Sequence, residues 1–414
     1  MRVLYLSPCA QMGGAEICLM DMLESVGEAQ PGWQLCLLLG EDGPLAHQAD
    51  SAGVDVTVAA FPRALARLGD SGSSKFRALW SCIKAAASAV RYTISLKRLV
   101  AQQRPDVIHT NGFKMHVLGV WARPRNVPVI WHIHDYVSTR PVMKLLLRAH
   151  AGLCAAAITN SQSVARDFQS VCGPQPEVVC IYNAVDLKRY SPTSSGERSV
   201  KTDLDSLAGL QRAVEGTVRI GLVATLAHWK GHAVFLRALA RLPQDIHFRA
   251  YVIGGPIYQT ENSQRTLDDL RALAEALGVA EKTGFSGYVE DSGAAIRELD
   301  ILVHASTEPE PFGRVIAEGM ACGRAVVCSA SGGAAELITE GHNALGHAPG
   351  DEVGLAARMT ELARDPELRS RLGRAGRITA EQRFNPSRLS RELIPLYRRV
   401  TGFADRPTAL PHGG

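Results

Sequence analysis

No stretch of about 18 apolar residues occurs in the 414-residue chain, so the sequence predicts no membrane-crossing helix. Near the start, Val3-Leu4-Tyr5-Leu6 is too short for the core of a secretory signal. The nine cysteines are scattered and form no Cys-x-x-Cys pair. That pattern speaks against a disulfide framework and predicts buried thiols in a reducing compartment. Charge of one sign is also lacking: 45 Lys and Arg against 41 Asp and Glu leave +4, too even for a nucleic-acid coat or a polybasic tail protein. No repeat of 20–50 residues is visible, which excludes a solenoid. What remains is globular in composition, 46% hydrophobic and 21% charged, with a length that predicts two or three domains.

Short β-rich runs alternate with longer helical patterns. Strands are expected at Val3–Ser7, Gln34–Leu39, Val54–Val58, Asp106–Thr110, Val129–His134, Ala156–Asn160 and Val178–Tyr182, with helices such as Ala15–Val26 and Phe76–Gln103 between them. Residues 190–216 are polar and Ser/Thr/Gly-rich and read as a linker with a short helix near Leu204–Val214. The alternation then restarts with strands at Val218–Ala224, Phe248–Ile253, Thr283–Ser286, Ile301–His304 and Ala325–Ser329. The intervening helices are His232–Arg241, Thr266–Leu277, Phe312–Cys322, Val353–Arg364 and Glu367–Glu381. This is the signature of α/β domains with parallel sheets covered on both faces. The expected division is a first doubly wound, Rossmann-like domain over 1–189, the linker 190–216, a second such domain over 217–385, a last helix over 386–403 and a disordered tail over 404–414. The two domains are expected to face each other across a cleft, with ligands held outside the carboxyl ends of the strands.

The residues just after strands are therefore the ones to inspect. Ser7-Pro-Cys-Ala-Gln-Met-Gly-Gly-Ala-Glu16 places Gly13 and Gly14 at a helix start, where backbone amides favour an anion. It is not the dinucleotide fingerprint. In Trp131-His-Ile-His-Asp-Tyr136, alternation puts His132 and His134 on one face. His134 suits a polar contact to a substrate hydroxyl and His132 a core position; a metal pair is conceivable, but no third ligand is evident. His109 reads as structural. Thr225-Leu-Ala-His-Trp-Lys-Gly231 offers Lys230 beside a helix start, which suits a phosphate. Gly254 and Tyr288 sit in two further glycine turns after strands.

The densest stretch runs from His304 to Gly323. Pro311 stands where a helix could begin, so the amides of Phe312, Gly313, Arg314 and Val315 would lack helical partners and could hold a diphosphate. Glu310 precedes that helix and Glu318 lies about 9 Å further along its axis, within reach of a ribose. Two carboxylates also raise a glycosidase; the retaining spacing of about 5 Å fits badly, whereas an inverting spacing stays possible.

Taken together these residues resemble the family-4 retaining glycosyltransferases of GT-B fold, from Gly13-Gly14 to Glu336. The most specific part is Glu310-Pro-Phe-Gly-Arg-Val-Ile-Ala-Glu318, supported by Gly323-Arg-Ala-Val-Val, Ser331-Gly-Gly-Ala-Ala-Glu336, Asn160-Ser161, Ile181-Tyr-Asn-Ala-Val-Asp186 and Lys230-Gly231. The resemblance implies a hexosyl transfer from a UDP- or GDP-linked sugar as co-substrate, with no cofactor and no catalytic metal. It implies that Gly13-Gly14 approaches the donor phosphate or acceptor, that His134 contacts the donor sugar, and that Lys230 neutralises the diphosphate. Glu310 would hold sugar hydroxyls, Glu318 the ribose, and the Phe285–Val289 loop would lie near the base. The last helix would cross back onto the first domain. One position departs: Thr225 stands where the family usually has an arginine that binds the diphosphate. That departure raises a non-catalytic GT-B relative as an alternative, and a nucleotide-sugar epimerase is a second.

The bland +4 hides a pattern. Residues 1–55 carry one basic and eight acidic side chains, residues 56–186 carry 16 basic and 6 acidic ones, and Arg63 to Arg104 holds nine basic residues against Asp70 alone. With Phe76, Trp80 and Tyr92 interspersed, this segment could lie on an anionic membrane. No nucleic-acid motif accompanies the charge. The family implies a lipid-linked or glycan acceptor in exopolysaccharide, capsule or lipopolysaccharide assembly, at the inner face of the cytoplasmic membrane. The sugar, the acceptor and the oligomeric state stay open.

Overall fold

The computed structural model describes residues 1–66, 75–192, 203–255 and 265–403. They form two compact units: Met1–Thr159 with Ala165–Ile181 and the segment that starts at Ser387, and Tyr182–Pro386 with Asn160–Val164.

The first unit is built on a parallel sheet of β1 (Arg2–Ser7), β2 (Gln34–Leu39), β3 (Asp55–Val58), β4 (Val107–Asn111), β5 (Val129–Ile133), β6 (Ala156–Thr159) and β7 (Glu177–Cys180), in the order β3-β2-β1-β4-β5-β6-β7. Runs such as Gln-Leu-Cys-Leu-Leu-Leu in β2 are apolar without alternation because helices cover both faces. The C-terminal helix Ser387–Thr401 packs on the helix Gly14–Ala29, and the Ser390 amide donates to Ser25 Oγ at 3.1 Å. Its Tyr397 is fully buried; the hydroxyl lies 3.1 Å from Tyr5 Oη and 2.7 Å from His109 Nδ1, so the helix is keyed to β1 and β4.

The second unit holds β8 (Val218–Val223), β9 (Phe248–Ile253), β10 (Thr283–Gly287), β11 (Ile301–His304), β12 (Ala325–Ser329) and β13 (Leu345–His347), in the parallel order β10-β9-β8-β11-β12-β13. Strand periodicity divides the core: Ile220, Leu222, Val252, Ile301, Val303 and Val327 fill one face, and Tyr251, Ile253, Leu302, Val326 and Cys328 the other. In both sheets the chain winds outward from a central pair, β1/β4 and β8/β11, in opposite directions. These pairs are topological switch points. Among the described residues no helix is long and apolar enough to cross a membrane.

The structure moves several boundaries. The division falls between Ile181 and Tyr182, so 182–189 belong to the second unit and not the first. The segment expected as a linker over 190–216 is, where described, part of the second unit. Its helix is only Leu204–Leu207, and Leu204 and Asp205 are buried. The Asp205 carboxylate accepts from Arg219 Nη2 at 2.9 Å, Tyr251 Oη at 2.6 Å and the Ala213 amide at 2.9 Å. Burial alone would raise its pKa, but these partners hold it below the ordinary carboxylate value. Asn160–Val164 joins the second unit because Glu336 accepts from the amides of Gln162 and Ser163 and from Tyr182 Oη. The short β13, with a glycine at its centre, has no β-rich run to announce it. The tail 404–414 lies outside the described residues.

Asp205→Ala strips a buried network of its anion and leaves Arg219 only its longer ion pair to Glu298, at 3.5 Å. A loss of about 3 kcal/mol in the urea unfolding free energy is expected. An unchanged midpoint would show that the Asp205 network contributes nothing to the stability of the second unit.

Candidate active site

Adjacent strands β8 and β11 lead into Lys230 and Glu310, a charged pair of the second unit. Lys230 closes the single turn His228–Lys230 after β8, and Gly231 links it to the helix His232–Leu239. Gly231 has φ 74, and a Cβ there would collide with the carbonyl oxygen of Ala305, so no other residue fits between Lys230 and the helix. Glu310 follows β11 and is pinned by its backbone, whose carbonyl accepts from the Gly333 amide at 2.7 Å. Lys230 Nζ donates to both carboxylate oxygens of Glu310, at 2.8 and 2.9 Å. Ser306 Oγ donates to Oε2 at 2.8 Å, and His304 Nε2 stands 3.4 Å from the same oxygen. Burial of Glu310 would raise its pKa, but the Lys230 charge and the His304 contact outweigh it and hold the carboxyl well below the usual range. Thr225 is half-buried in the loop after β8, Gly254 follows β9 with φ 137, and Tyr288 follows β10 with its side chain 72% exposed.

The helix after Glu310 starts later than its sequence suggests. It spans Arg314–Ala321, with Gly313 as N-cap in the left-handed region at φ 88. Pro311 therefore opens no helix, because the left-handed residue at 313 interrupts the chain between them. Phe312 is not a first-turn residue either. Its ring is buried near Tyr182 and Phe384, an anchor for the turn. The first-turn positions are Arg314, Val315 and Ile316, and Glu318 lies about 6 Å beyond the start rather than 9 Å. The Arg314 side chain turns inward: Nε donates to Glu318 Oε1 at 3.2 Å and Nη1 to the Ala184 carbonyl at 3.1 Å.

In the first unit, Gly13 is the extended N-cap and Gly14 the first residue of the helix Gly14–Ala29. This helix start already holds an acid. Glu16 is buried, and burial pushes its carboxyl up to about 7 although the Glu16 and Gly13 amides bond to it. His134 follows β5, with Nε2 donating to Asn111 Oδ1 at 2.5 Å. Burial pulls its pKa down to about 3, so the ring is neutral at physiological pH. His132 and His134 lie with ring centroids 3.9 Å apart. The expectation that no third metal-ligand group joins them is corrected: Cys18 places its thiol within 4.8 Å of both, because the helix Gly14–Ala29 lies over this part of the sheet.

The structure thus assembles Lys230, Glu310, His304 and Ser306 in one unit, and His134, Asn111, His132 and Cys18 in the other. Sequence reasoning missed His304, Ser306 and Asn111 as partners, although each stands at or just past a strand end, the position already known to matter. Nothing in the local sequence marks Cys18.

Two doubly wound units with polar groups at their strand ends match the GT-B fold of solved glycosyltransferases. Residues 45–189 match the family described as Glycosyltransferase Family 4, and residues 211–379 match Glycosyl transferases group 1. D-inositol 3-phosphate glycosyltransferase of Stackebrandtia nassauensis is 30% identical over 332 residues, 74% of this chain and 71% of that protein. Lipopolysaccharide core biosynthesis glycosyltransferase LpsE of Rhizobium meliloti is 31% identical over 38% of this chain and 42% of its own length. The crystal structure of Anabaena HepE in complex with UDP-glucose superposes with a TM-score of 0.75 at 25% identity, covering 96% of this chain and 100% of that one. The chain belongs to the family-4 glycosyltransferases and is a glycosyltransferase enzyme.

Lys230→Met removes the charge that keeps Glu310 ionised. Its carboxyl pKa should rise to the ordinary carboxylate range or above, read by carbon-detected NMR titration. In the unsubstituted protein the depressed pKa contributes stability above the ordinary carboxylate range, lost as pH falls towards the folded value. The variant should lose less stability on acidification, and an unmoved Glu310 titration would refute the pairing.

Proposed function

We propose that this enzyme is a retaining hexosyltransferase. It moves a sugar from a nucleoside-diphosphate donor, UDP- or GDP-linked, to a lipid-linked or polysaccharide acceptor in exopolysaccharide, capsule or lipopolysaccharide assembly. The observation that carries this reading is the Lys230–Glu310 pair at the β8/β11 switch point. A cation and a carboxylate held there suit a ligand that is both anionic and rich in hydroxyls. The UDP-glucose complex of HepE supports the donor class, and the name of the LpsE relative supports the pathway class.

In this reading Lys230 leaves Glu310 in part to face the diphosphate, where negative charge grows as the glycosidic bond breaks. Glu310 then accepts from sugar hydroxyls, Glu318 from the ribose, and the Phe285–Val289 loop borders the base. His134, kept neutral, hydrogen-bonds the sugar near the reacting carbon without repelling a cationic transition state. The acceptor attacks on the face the leaving group vacates, and its proton passes to the departing phosphate, so no side-chain nucleophile is required. With Thr225 in place of the usual arginine and Arg314 engaged by Glu318, more of the diphosphate charge falls on Lys230.

A panel of UDP- and GDP-sugars, read by release of nucleoside diphosphate and by product mass, tests this. One donor should be turned over with its anomeric configuration kept, and Lys230→Ala or Glu310→Gln should lower kcat/KM by about 100-fold or more. Absence of turnover and binding across the panel, with Glu310→Ala silent, would remove the reading.

We also propose docking of the 63–104 segment on an anionic membrane. The helix Lys75–Gln103 exposes Val90 and Ile94 beside the exposed Arg91, Lys97 and Arg98. Tyr92 does not belong to that face. It is buried, its ring 5.2 Å from Phe61 and its hydroxyl donating to the Ala59 carbonyl. The side chains of Phe76 and Trp80 lie outside the described residues. Liposomes with anionic lipid should bind more protein than neutral ones, and equal binding would sink the electrostatic version.

A further inference from the structure

Three soft or borderline donor groups converge in the first unit. Cys18 comes from the helix Gly14–Ala29, His132 from β5 and His134 from the residue after it, and one ligand atom of each lies within 4.8 Å of the others. His132 is 1% exposed, and neither ring nitrogen has a hydrogen-bond partner among the described residues. A buried polar group left in this way calls for an occupant. We propose that Cys18, His132 and His134 form a binding site for a thiophilic divalent transition ion such as zinc.

The chemistry of the donor set narrows the ion. One sulfur and two imidazoles suit zinc and its neighbours, whereas calcium and magnesium need oxygen ligands that this trio lacks. Bonds of about 2.0–2.3 Å in a tetrahedron place ligand atoms roughly 3.5 Å apart, so the trio would have to draw in from its spacing of up to 4.8 Å when an ion binds. His134 donates from Nε2 to Asn111, which orients the ring, as outer-shell partners of metal-bound histidines do. On binding, the Cys18 S–H bond breaks, an S–metal bond forms and one proton leaves to solvent. The imidazoles bind through lone pairs and release none. Three protein ligands leave a fourth position open to water or another small ligand. Because the ion would occupy His134, metal loading should also block sugar transfer. That consequence rests on the proposed function; the binding does not.

The test uses the full chain, freed of metal with a chelator and titrated with cobalt(II). One ion per chain should bind with a thiolate-to-cobalt charge-transfer band, and zinc should displace it. Cys18→Ser should abolish the band and weaken binding by about 100-fold or more, while Cys36→Ser retains both. If Cys18→Ser does not fold by circular dichroism, His132→Asn should weaken cobalt binding by about 100-fold or more. A folded protein that turns over donor but takes up no cobalt, or a band that survives Cys18→Ser, overturns the site. Cobalt uptake with the band in a protein that turns over no donor supports the site and counts against the function reading alone.

Discussion

A carboxylate taken out of water stays charged only when opposite charge or hydrogen-bond donors face it, and Lys230 is the foremost of these for Glu310. Desolvation works against the ionised acid, and two short bonds from one ammonium reverse the balance. The pair exists because β8 and β11 are neighbours whose loops leave the sheet on the same edge. Gly231 lets the lysine turn meet Ala305 without a collision, and Gly333 ties down the backbone of Glu310. Ser306 and His304 complete the shell around one carboxylate oxygen. The result is a carboxylate whose charge and position are both fixed by groups from separate strands.

The first unit solves a different problem. His109, His116 and His132 are buried and His134 is enclosed beside them, and desolvation is the largest cause that depresses the pKa of each. The rings remain uncharged and pack as aromatic bodies, His132 against His134 and against His109. Tyr397, arriving from the far end of the chain, supplies the hydroxyl that His109 needs. The C-terminal helix is thus a structural member of this unit rather than an appendage.

Much of this was legible beforehand. Parallel sheets follow from apolar runs separated by helices, and strands such as Gln34–Leu39, Phe248–Ile253 and Ile301–His304 keep the bounds their composition indicates. Lys230-Gly231 and Glu310–Glu318 stand out because glycine, lysine and glutamate sit just beyond strands. Less legible were features that depend on chain segments meeting. The helix expected from Phe312 begins at Arg314 because Gly313 turns left-handed, which its neighbours do not announce. Residues 203–216 read as a linker because they are polar, yet Asp205 is polar in order to be buried against Arg219 and Tyr251.

By itself, then, the sequence determined the α/β class, the two-unit plan and the family, since these rest on local periodicity and on motifs that are contiguous. Tertiary structure alone decided which charges meet. Lys230 and Glu310 are 80 residues apart, Gln162 and Glu336 are 174, and Cys18 belongs to a different element from His132 and His134. Such pairings come from strand order and helix placement, and a linear pattern carries no signal for an electrostatic contact that only the fold creates.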